Sequence, residues 1–303
     1  METPSLTFIL CTRNGAARIT PTLRSIAAAA RETPETACDL VVVDNGSRDA
    51  TTAVVAAWAA QAALPVTLLH EPRPGLAAAR NAALAVASGT ILAFTDDDCR
   101  LDRAYAARLL AHYRDDDAPV IRGGRIELGD PQDLPYTIKT DPEPKVYDGS
   151  SHPGGFIHGC NMAMHREVVG RIGPFDPEFG AGARFKAAED TEYIYRAHRA
   201  GLRVTYDPDC VVHHHHGRRR REEILKLART YAEGNGALYA KYLRDRKLLR
   251  HLYWDLKGCV RELCGGAPMD RSLGLTFRDN VAGCLRGMAR GMARYAARAR
   301  PGR

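Results

Sequence analysis

Short apolar runs alternate with helix-like segments through the first hundred residues, and this alternation most constrains the fold. Residues 5–11, 40–43, 66–69 and 91–94 are apolar runs of strand length, separated by alanine-rich segments. Strands that are apolar on both faces and alternate with helices are typical of a parallel sheet covered on both sides. The sequence therefore predicts an α/β fold with a mixed, mainly parallel central sheet and flanking helices.

Polar residues directly follow three of these runs. Thr12 and Arg13 follow the first run, Asp44 the second, and Asp96, Asp97 and Asp98 come just after the fourth. Ligands of parallel sheets bind at the carboxyl ends of the strands, so we expect these side chains to meet at one site. Hard ions such as Mg²⁺ or Mn²⁺ prefer oxygen ligands and are often held by carboxylates and substrate phosphates. A solvated acidic turn is the alternative for the three aspartates taken alone.

The composition indicates a cytoplasmic protein with a basic C-terminal region. The chain has 303 residues and a formal charge of +7, with arginine concentrated after residue 216. Such a basic face suits an anionic surface, including the inner face of a membrane. The eight cysteines form no CxxC pair, so we interpret them as reduced, buried residues and predict no zinc site. We find no signal-peptide pattern after Met1 and no run of about 18 apolar residues. We therefore expect a soluble or peripheral protein.

The second half of the chain is predicted to contain a strand that leads back to the site, followed by a helical C-terminal region. Residues 130–152 read as a long loop, residues 156–164 as a strand, and residues 189–200 as a helix that ends at Gly201. A further strand leads to four consecutive histidines, residues 213–216, after which the pattern is helical. The sequence predicts one domain over residues 1–216 and a helical C-terminal extension over residues 217–303.

An ordered set of motifs extends over about residues 5–216. It comprises residues 11–14 (CTRN), 43–47 (VDNGS), 75–81 (GLAAARN), 95–99 (TDDDC) and 159–162 (GCNM), then Phe175, Asp176, Phe179, Glu189, Asp190 and His213. In type and order this set resembles the family 2 inverting glycosyltransferases of the GT-A fold. The resemblance implies transfer of a sugar from a nucleotide diphosphate-sugar donor to an acceptor hydroxyl, with a divalent metal ion, Mn²⁺ or Mg²⁺, as cofactor.

The resemblance also implies metal ligands. Asp98 is the first choice, Asp96 is a second ligand or a ribose contact, and His213 is the histidine that completes the site. Strand alternation would place His213 and His215 on one face and His214 and His216 on the other, and a structural cluster is the alternative for most of the four.

Catalytic and substrate-binding residues follow from the same resemblance. Asp190 matches the base that removes the acceptor proton, although Glu189 and Asp190 also suit the first turn of a helix. The expected donor contacts are Thr12, Arg13, Asp44, Arg80, Asp96 and Asp97, and the expected acceptor or sugar contacts are Gly159, Cys160, Asn161 and Glu189. Local alternatives are an ordinary turn at Asp44, a solvated helix position for Arg80, and a plain apolar strand at residues 159–161.

The tail predicts a basic amphipathic helix. Arg286, Arg290, Arg294 and Arg298 recur every four residues, beside an apolar stripe of Leu285, Met288, Met292, Tyr295 and Ala299. Such a helix can lie on an anionic membrane surface, where lipid-linked acceptors are found. Alternatively, it packs against the catalytic domain or against a second subunit of a homo-oligomer.

Two other function classes stay open at this point. A nucleotidyltransferase that makes activated sugars would share the fold, but the glycine-rich basic loop typical of that class is missing after the first strand. A non-catalytic sugar-nucleotide binding protein would not need Asp190. No nucleic-acid-binding motif is present. The favoured prediction is a metal-dependent inverting glycosyltransferase of glycan, polysaccharide or glycoconjugate synthesis, with a sugar, lipid-linked or natural-product acceptor.

Overall fold

The computed structural model describes residues 5–114 and 116–298. The strands are β1 (Ser5–Thr12), β2 (Ala37–Asp44), β3 (Val66–His70), β4 (Ile91–Asp96), β5 (Cys99–Leu101), β6 (Val120–Leu128), β7 (Lys145–Val146), β8 (Asn161–His165) and β9 (Arg203–His214). The α-helices are α1 (Ile19–Arg31), α2 (Thr51–Ala59), α3 (Leu76–Val86), α4 (Tyr105–Arg114), α5 (Glu167–Ile172), α6 (Glu189–Arg199), α7 (Arg221–Lys241), α8 (Arg246–Leu263) and α9 (Phe277–Arg298).

The strands form one mixed sheet in the order β3-β2-β1-β4-β8-β6-β9-β5, with β7 paired to β9. β1 is parallel to β2 and β4, and β2 is parallel to β3. β8 is antiparallel to β4 and β6, whereas β9 is parallel to β6. The predicted α/β class with a mixed sheet, flanking helices and C-terminal helices is confirmed.

Alternate residues of the central strands supply two cores, one on each face of the sheet. Leu6, Phe8 and Leu10 pack into one core, whereas Ile9 and Cys11 pack into the other. This is the side-chain alternation of a strand buried on both faces. The same register aligns the strand ends, because Thr12 pairs with Asp44 and Cys11 pairs with Asp96. Polar residues distant in sequence therefore reach one edge of the sheet.

Three predicted elements have different bounds in the structure. The strand expected over residues 156–164 is only β8, and a 3₁₀ turn at Pro153–Gly155 lies ahead of it. The helix expected from residue 101 begins at Tyr105, because the chain first forms β5. The strand expected to lead to the histidines is β9, which includes the first two of them and has a register shift opposite Gly124 and Arg125. Residues 208–210 bulge out there, at a proline that has no N–H to donate to the sheet.

Two C-terminal helices, α7 and α9, pack closely against each other, and α7 is joined to the rest of the chain beside α6. A Cβ atom on Gly287 of α9 would lie 2.0 Å from the carbonyl oxygen of Glu233 in α7, so only glycine allows this approach. Lys241 at the end of α7 donates to Asp176 and to Glu192, at 2.7 Å in each case. These contacts fix α7 beside the first turns of α6.

The arginine stripe of α9 faces acidic groups of the same chain. Arg290 pairs with Glu233 at 2.9 Å, and Arg294 pairs with Glu178 at 2.7 Å. The apolar stripe is divided: Met288 and Tyr295 pack inward, whereas Leu285 and Met292 are 52% and 43% exposed. The side chain of Arg298 and residue Ala299 lie outside the described part of the chain. Arg290 thus joins α9 to α7, whereas Arg294 joins α9 to a residue before the C-terminal helices; the second pair favours packing on the rest of the chain, and membrane contact stays a prediction.

Within the described residues, no helix combines the length and apolar character needed to cross a bilayer.

Candidate active site

A cleft of about 310 Å³ opens where β4 ends beside the first turn of α6. We call one side the sheet wall; its residues are Arg80, Asp96, Gly159, Cys160, Glu189, Asp190 and His214. We call the other side the helix wall; its residues are Arg218, Leu227, Tyr231 and Asn235, on α7 or just before it. Strand ends and helix starts thus bring together residues from widely separated parts of the sequence.

The three consecutive aspartates have different partners, and Asp97 is turned away from the cleft. Its two oxygens accept hydrogen bonds from Arg18 Nε at 2.8 Å and Arg18 Nη2 at 2.9 Å. The Thr12 hydroxyl also donates to Asp97, at 2.5 Å. Both Asp97 and Thr12 are buried. The structure therefore gives them a bracing role, which corrects the expectation that Asp97 meets the donor nucleotide.

Asp96 and Asp98 remain near the cleft and could hold a cation. Asp98 Oδ1 lies 3.4 Å from His214 Nε2, and Asp96 Oδ1 lies 3.7 Å from Arg80 Nη2. Burial raises the pKa of Asp96 to about 6, opposed by Arg80 and reinforced by the charge of Asp98. Burial also acts to raise the pKa of Asp98, but the hydrogen bond and charge of His214 outweigh it and lower this pKa. The two carboxylates offer the oxygen ligands that Mn²⁺ and Mg²⁺ prefer, and the His214 imidazole beside Asp98 offers a candidate nitrogen ligand.

The histidine beside the acids is His214 and not the predicted His213. His214 pairs with Cys99 across β5 and β9, is 7% exposed and faces Asp98. His213 pairs with Arg100 instead and has the opposite side-chain direction. The expected alternation holds, since the rings of His214 and His216 meet edge to face at 5.1 Å. The error lay in which face of β9 points to the site.

Arg80 is the organising group of the sheet wall. It is 2% exposed, so the alternative of a solvated helix position does not apply. Its guanidinium donates to Glu189 Oε1 and to the carbonyl oxygen of Gly159, at 3.1 Å in each case. A Cβ atom on Gly159 would lie 2.6 Å from Arg80 Nη2, so a side chain at this position would displace the guanidinium. Burial and then the charge of Asp190 raise the pKa of Glu189 to about 7, against the opposing effect of Arg80.

Asp190 is held at the start of α6 and lines the cleft. Its Oδ2 accepts from the backbone N–H of Gly159 at 2.8 Å, and its Oδ1 accepts from the N–H of Thr191 at 2.6 Å. Ala188, two residues earlier, has the left-handed conformation with φ of 71°, which turns the chain sharply into the helix. The Thr191 hydroxyl also donates to Oδ1, at 3.3 Å, whereas Oδ2 accepts only from Gly159 and keeps a lone pair that can take a proton.

The expected nucleotide contacts Asp44 and Arg13 lie beyond the cleft, near the ends of β2 and β1. Asp44 is 2% exposed and accepts from the N–H of Ser47 at 2.9 Å and from the hydroxyl of Thr52 at 2.8 Å. Burial acts to raise the pKa of Asp44, but these hydrogen bonds outweigh it and lower the pKa. Asp44 is thus an ionised acceptor at the end of β2. Arg13 is exposed and directly follows β1, whose last residue, Thr12, pairs with Asp44.

Of the three residues expected to contact sugar in residues 159–161, two line the cleft and one is buried in the core. Asn161 is 1% exposed, and its amide donates to the carbonyl oxygens of Arg125 and Cys210 at 2.8 and 2.9 Å. Its Oδ1 accepts from the hydroxyl of Tyr105. Asn161 therefore joins strands in the core, which corrects its expected role in sugar contact. Gly159 and Cys160 do line the cleft.

No residue of α7 in the helix wall was singled out from the sequence. Helical spacing predicted that the tail is helical, but docking of α7 depends on distant partners such as Asp176 and Glu192. The cluster of Cys99, Cys160 and His214 was not predicted either; its potential ligand atoms all lie within 4.8 Å of one another. The cysteines are 61 residues apart in sequence (160 − 99), so no spacing motif could reveal them.

Comparison with known proteins gives the family. Residues 7–173, more than half of the chain, match the model of Glycosyl transferase family 2. The chain belongs to this family and is a glycosyltransferase. It is 25% identical over 230 residues to glycosyltransferase AglE of Haloferax volcanii, covering 74% of this chain and 72% of AglE. It is 26% identical over 201 residues to the succinoglycan biosynthesis protein ExoM of Rhizobium meliloti, covering 63% of this chain and 61% of ExoM.

Solved structures confirm the predicted GT-A fold. Mannosyltransferase PcManGT from Pyrobaculum calidifontis, in complex with GDP-Man and Mn²⁺, has a TM-score of 0.59 at 22% identity, covering 98% of this chain and 76% of that one. TarS 1–349 of S. aureus, in complex with UDP-GlcNAc, has a TM-score of 0.56 at 17% identity, covering 97% and 92%. Both similarities extend beyond residue 216 and so include C-terminal helices.

Proposed function

We propose that this glycosyltransferase moves a sugar from a nucleotide diphosphate-sugar to an acceptor hydroxyl, with inversion at the anomeric carbon and with a divalent metal ion bound. One observation carries the proposal: a candidate base, Asp190, and a candidate cation site at Asp98 and His214 lie at the same cleft. The names of the structural relatives support the donor class, since one binds GDP-Man with Mn²⁺ and another binds UDP-GlcNAc.

Asp98 and His214 would hold the metal ion, and Asp96 is positioned to add an oxygen ligand. When bound, Mn²⁺ or Mg²⁺ supplies the positive charge that neutralises the diphosphate as it leaves. Arg218, on the helix wall, contributes a second positive charge close to Asp98.

Asp190 acts as the general base of a single displacement. It takes the proton of the acceptor hydroxyl while the acceptor oxygen bonds to the anomeric carbon. On the opposite side of that carbon, the bond to the diphosphate oxygen breaks, and the nucleotide leaves with the electron pair. The hydrogen bonds from Gly159 and Thr191 fix the direction of the carboxylate during this step.

Arg80 acts by position. Its guanidinium donates to Glu189 and to the carbonyl oxygen of Gly159, and the N–H of Gly159 donates to Asp190. One buried cation therefore helps to orient both Glu189 and the base. The helix wall would contact the acceptor, and the named relatives favour an acceptor of glycan, polysaccharide or glycoconjugate synthesis. Lipid-linked and natural-product acceptors fit the same open wall.

A panel of nucleotide-sugars tests the proposal by thermal shift with and without Mn²⁺. The expected result is stabilisation by one donor that depends on Mn²⁺ and is lost in Asp98→Ala. The control is Asp117→Ala, which changes an aspartate whose side chain is 91% exposed. A full Mn²⁺-dependent shift in Asp98→Ala would refute the metal assignment.

A further inference from the structure

Two cysteines and a histidine meet on the inner side of the aspartate turn. Cys99 of β5 pairs directly with His214 of β9, and Cys160 approaches from the chain just before β8. They are 0%, 7% and 7% exposed, and their potential ligand atoms all lie within 4.8 Å of one another. The arrangement thus brings two sulfur atoms and one imidazole nitrogen to a single buried point.

A second, independent observation points to a ligand here. The Nδ1 atom of His214 is buried, and within the described residues it has no hydrogen-bond partner. Buried polar atoms are nearly always paired, because leaving one unpaired costs about 1–3 kcal/mol.

We propose that Cys99, Cys160 and His214 form a second cation site, specific for a soft or borderline metal ion such as Zn²⁺ or Cd²⁺, with a solvent oxygen as the fourth ligand. Two sulfurs, one nitrogen and one oxygen make a tetrahedral donor set for such ions, whereas Mg²⁺ and Mn²⁺ prefer oxygen. In a tetrahedral site with metal–sulfur bonds of about 2.3 Å, the ligand atoms lie a little less than ~4 Å from one another. Small side-chain rotations would therefore close the present cluster around an ion.

An ion can reach the proposed site from the cleft, and its binding requires only that the thiols release protons. Cys160 and His214 both line the cleft, so an ion can enter from it. Each thiol releases one proton to solvent as its sulfur bonds to the metal, and no group changes oxidation state.

The shared histidine links this site to the proposed transfer reaction. A neutral imidazole has one nitrogen lone pair, because its other nitrogen carries the proton. His214 can thus serve either the soft ion or the Mn²⁺ ion beside Asp98, and a bound soft ion would inhibit transfer. This competition rests on the proposed function, whereas soft-ion binding itself does not.

Titration with Cd²⁺ tests the site through the near-ultraviolet thiolate-to-metal absorption band. The measurement uses the full chain, reduced and stripped with chelator, in a Cys38→Ser, Cys259→Ser, Cys264→Ser background that removes the less buried thiols. We expect a band that saturates at one Cd²⁺ per chain. The matched control Cys210→Ser, which alters a separate cluster of His112, Asp209 and Cys210, should keep it.

The decisive variant is Cys99→Ser with Cys160→Ser, in which the band should vanish. A band of unchanged size in that variant, or no band in the background protein, overturns the proposal. Should the double variant fail to fold, Cys160→Ser alone should halve the band, and an undiminished band would again overturn the site.

Competition is measured on the same band. Saturating Mn²⁺ and donor should raise the Cd²⁺ concentration at half-saturation at least about threefold. An unchanged midpoint would overturn the shared use of His214. Because this readout needs no acceptor and no turnover, failure of the Cd²⁺ site is distinguishable from failure of the proposed reaction.

Discussion

The two walls of the cleft differ in how firmly their side chains are held. On the sheet wall, Arg80, Glu189 and Asp190 are joined by hydrogen bonds of 2.8 to 3.1 Å. On the helix wall, the side chains of Arg218, Tyr231 and Asn235 have no hydrogen bond to any of the described residues, and Tyr231 is 37% exposed. Under the proposed function, the sheet wall is preorganised for the chemical step, whereas the helix wall adapts to an acceptor.

Replacing the base should give the largest effect on the sheet wall. We expect Asp190→Asn to lower kcat by about 10²- to 10⁴-fold, because a positioned base typically contributes that much. Mn²⁺-dependent donor binding should be unchanged, since Asp190 does not contact Asp98 or His214. Single-turnover transfer and donor titration measure the two quantities. Transfer at the wild-type rate would exclude Asp190 as the base.

The two neighbouring histidines provide a matched pair for the metal site. Groups that only orient metal ligands are worth about 10- to 100-fold in affinity, so loss of a ligand should cost at least that much. We therefore expect His214→Asn to weaken Mn²⁺-dependent donor binding by at least about tenfold, and His213→Asn to leave it nearly unchanged. Calorimetric titration of donor at fixed Mn²⁺ compares them. Equal losses, or the reverse order, would contradict the register of β9.

The buried acid of the sheet wall should make stability depend on pH. Burial and the charge of Asp190 raise the folded-state pKa of Glu189 from 4.5 to about 7. The contribution of protonated Glu189 to the free energy of unfolding is therefore complete below about pH 4.5, and it is lost as the pH rises through about 7. In metal-free protein, we expect the free energy of unfolding to fall by on the order of 1 kcal/mol more between pH 5 and pH 8 in wild type than in Glu189→Gln.

Urea unfolding at several pH values measures this difference, in which the titration of all other groups cancels to first order. Parallel pH profiles for the two proteins would show that Glu189 has an ordinary pKa.

The helix wall should give the smallest effect and a different kinetic signature. Tyr231 stacks on Tyr136, with ring centroids 6.1 Å apart, and presents its exposed part to the cleft. We expect Tyr231→Ala to raise the acceptor KM about fivefold, near 1 kcal/mol, with kcat within about twofold. Tyr253→Ala, an exposed tyrosine on α8, is the control. A loss confined to kcat would place Tyr231 in the chemical step instead.

The contrast between the walls also explains what the sequence could predict. Strand ends are readable because apolar runs stop at polar residues, which located Asp44, Asp96 and Asp98 correctly at one edge. The side that a residue faces is harder to predict, since it depends on register. The bulge at residues 208–210 and the direction of β9 decided between His213 and His214.

Hydrogen bonds between residues far apart in the sequence could not be predicted either. Asp97 looks like any other acid of the turn until Arg18 and Thr12 are seen around it. Asn161 looks like a polar group of the site until its core partners are known. The helix wall depends on the docking of α7, for which helical periodicity gives no information.

The anomeric configuration of the product tests the central claim most directly. Once the donor is identified, proton NMR of the first product formed reports the configuration before any later equilibration. A single displacement assisted by Asp190 predicts a product of the opposite anomeric configuration to the donor. A product with the configuration of the donor would contradict the account, because it requires a second displacement or front-face attack that this base does not provide.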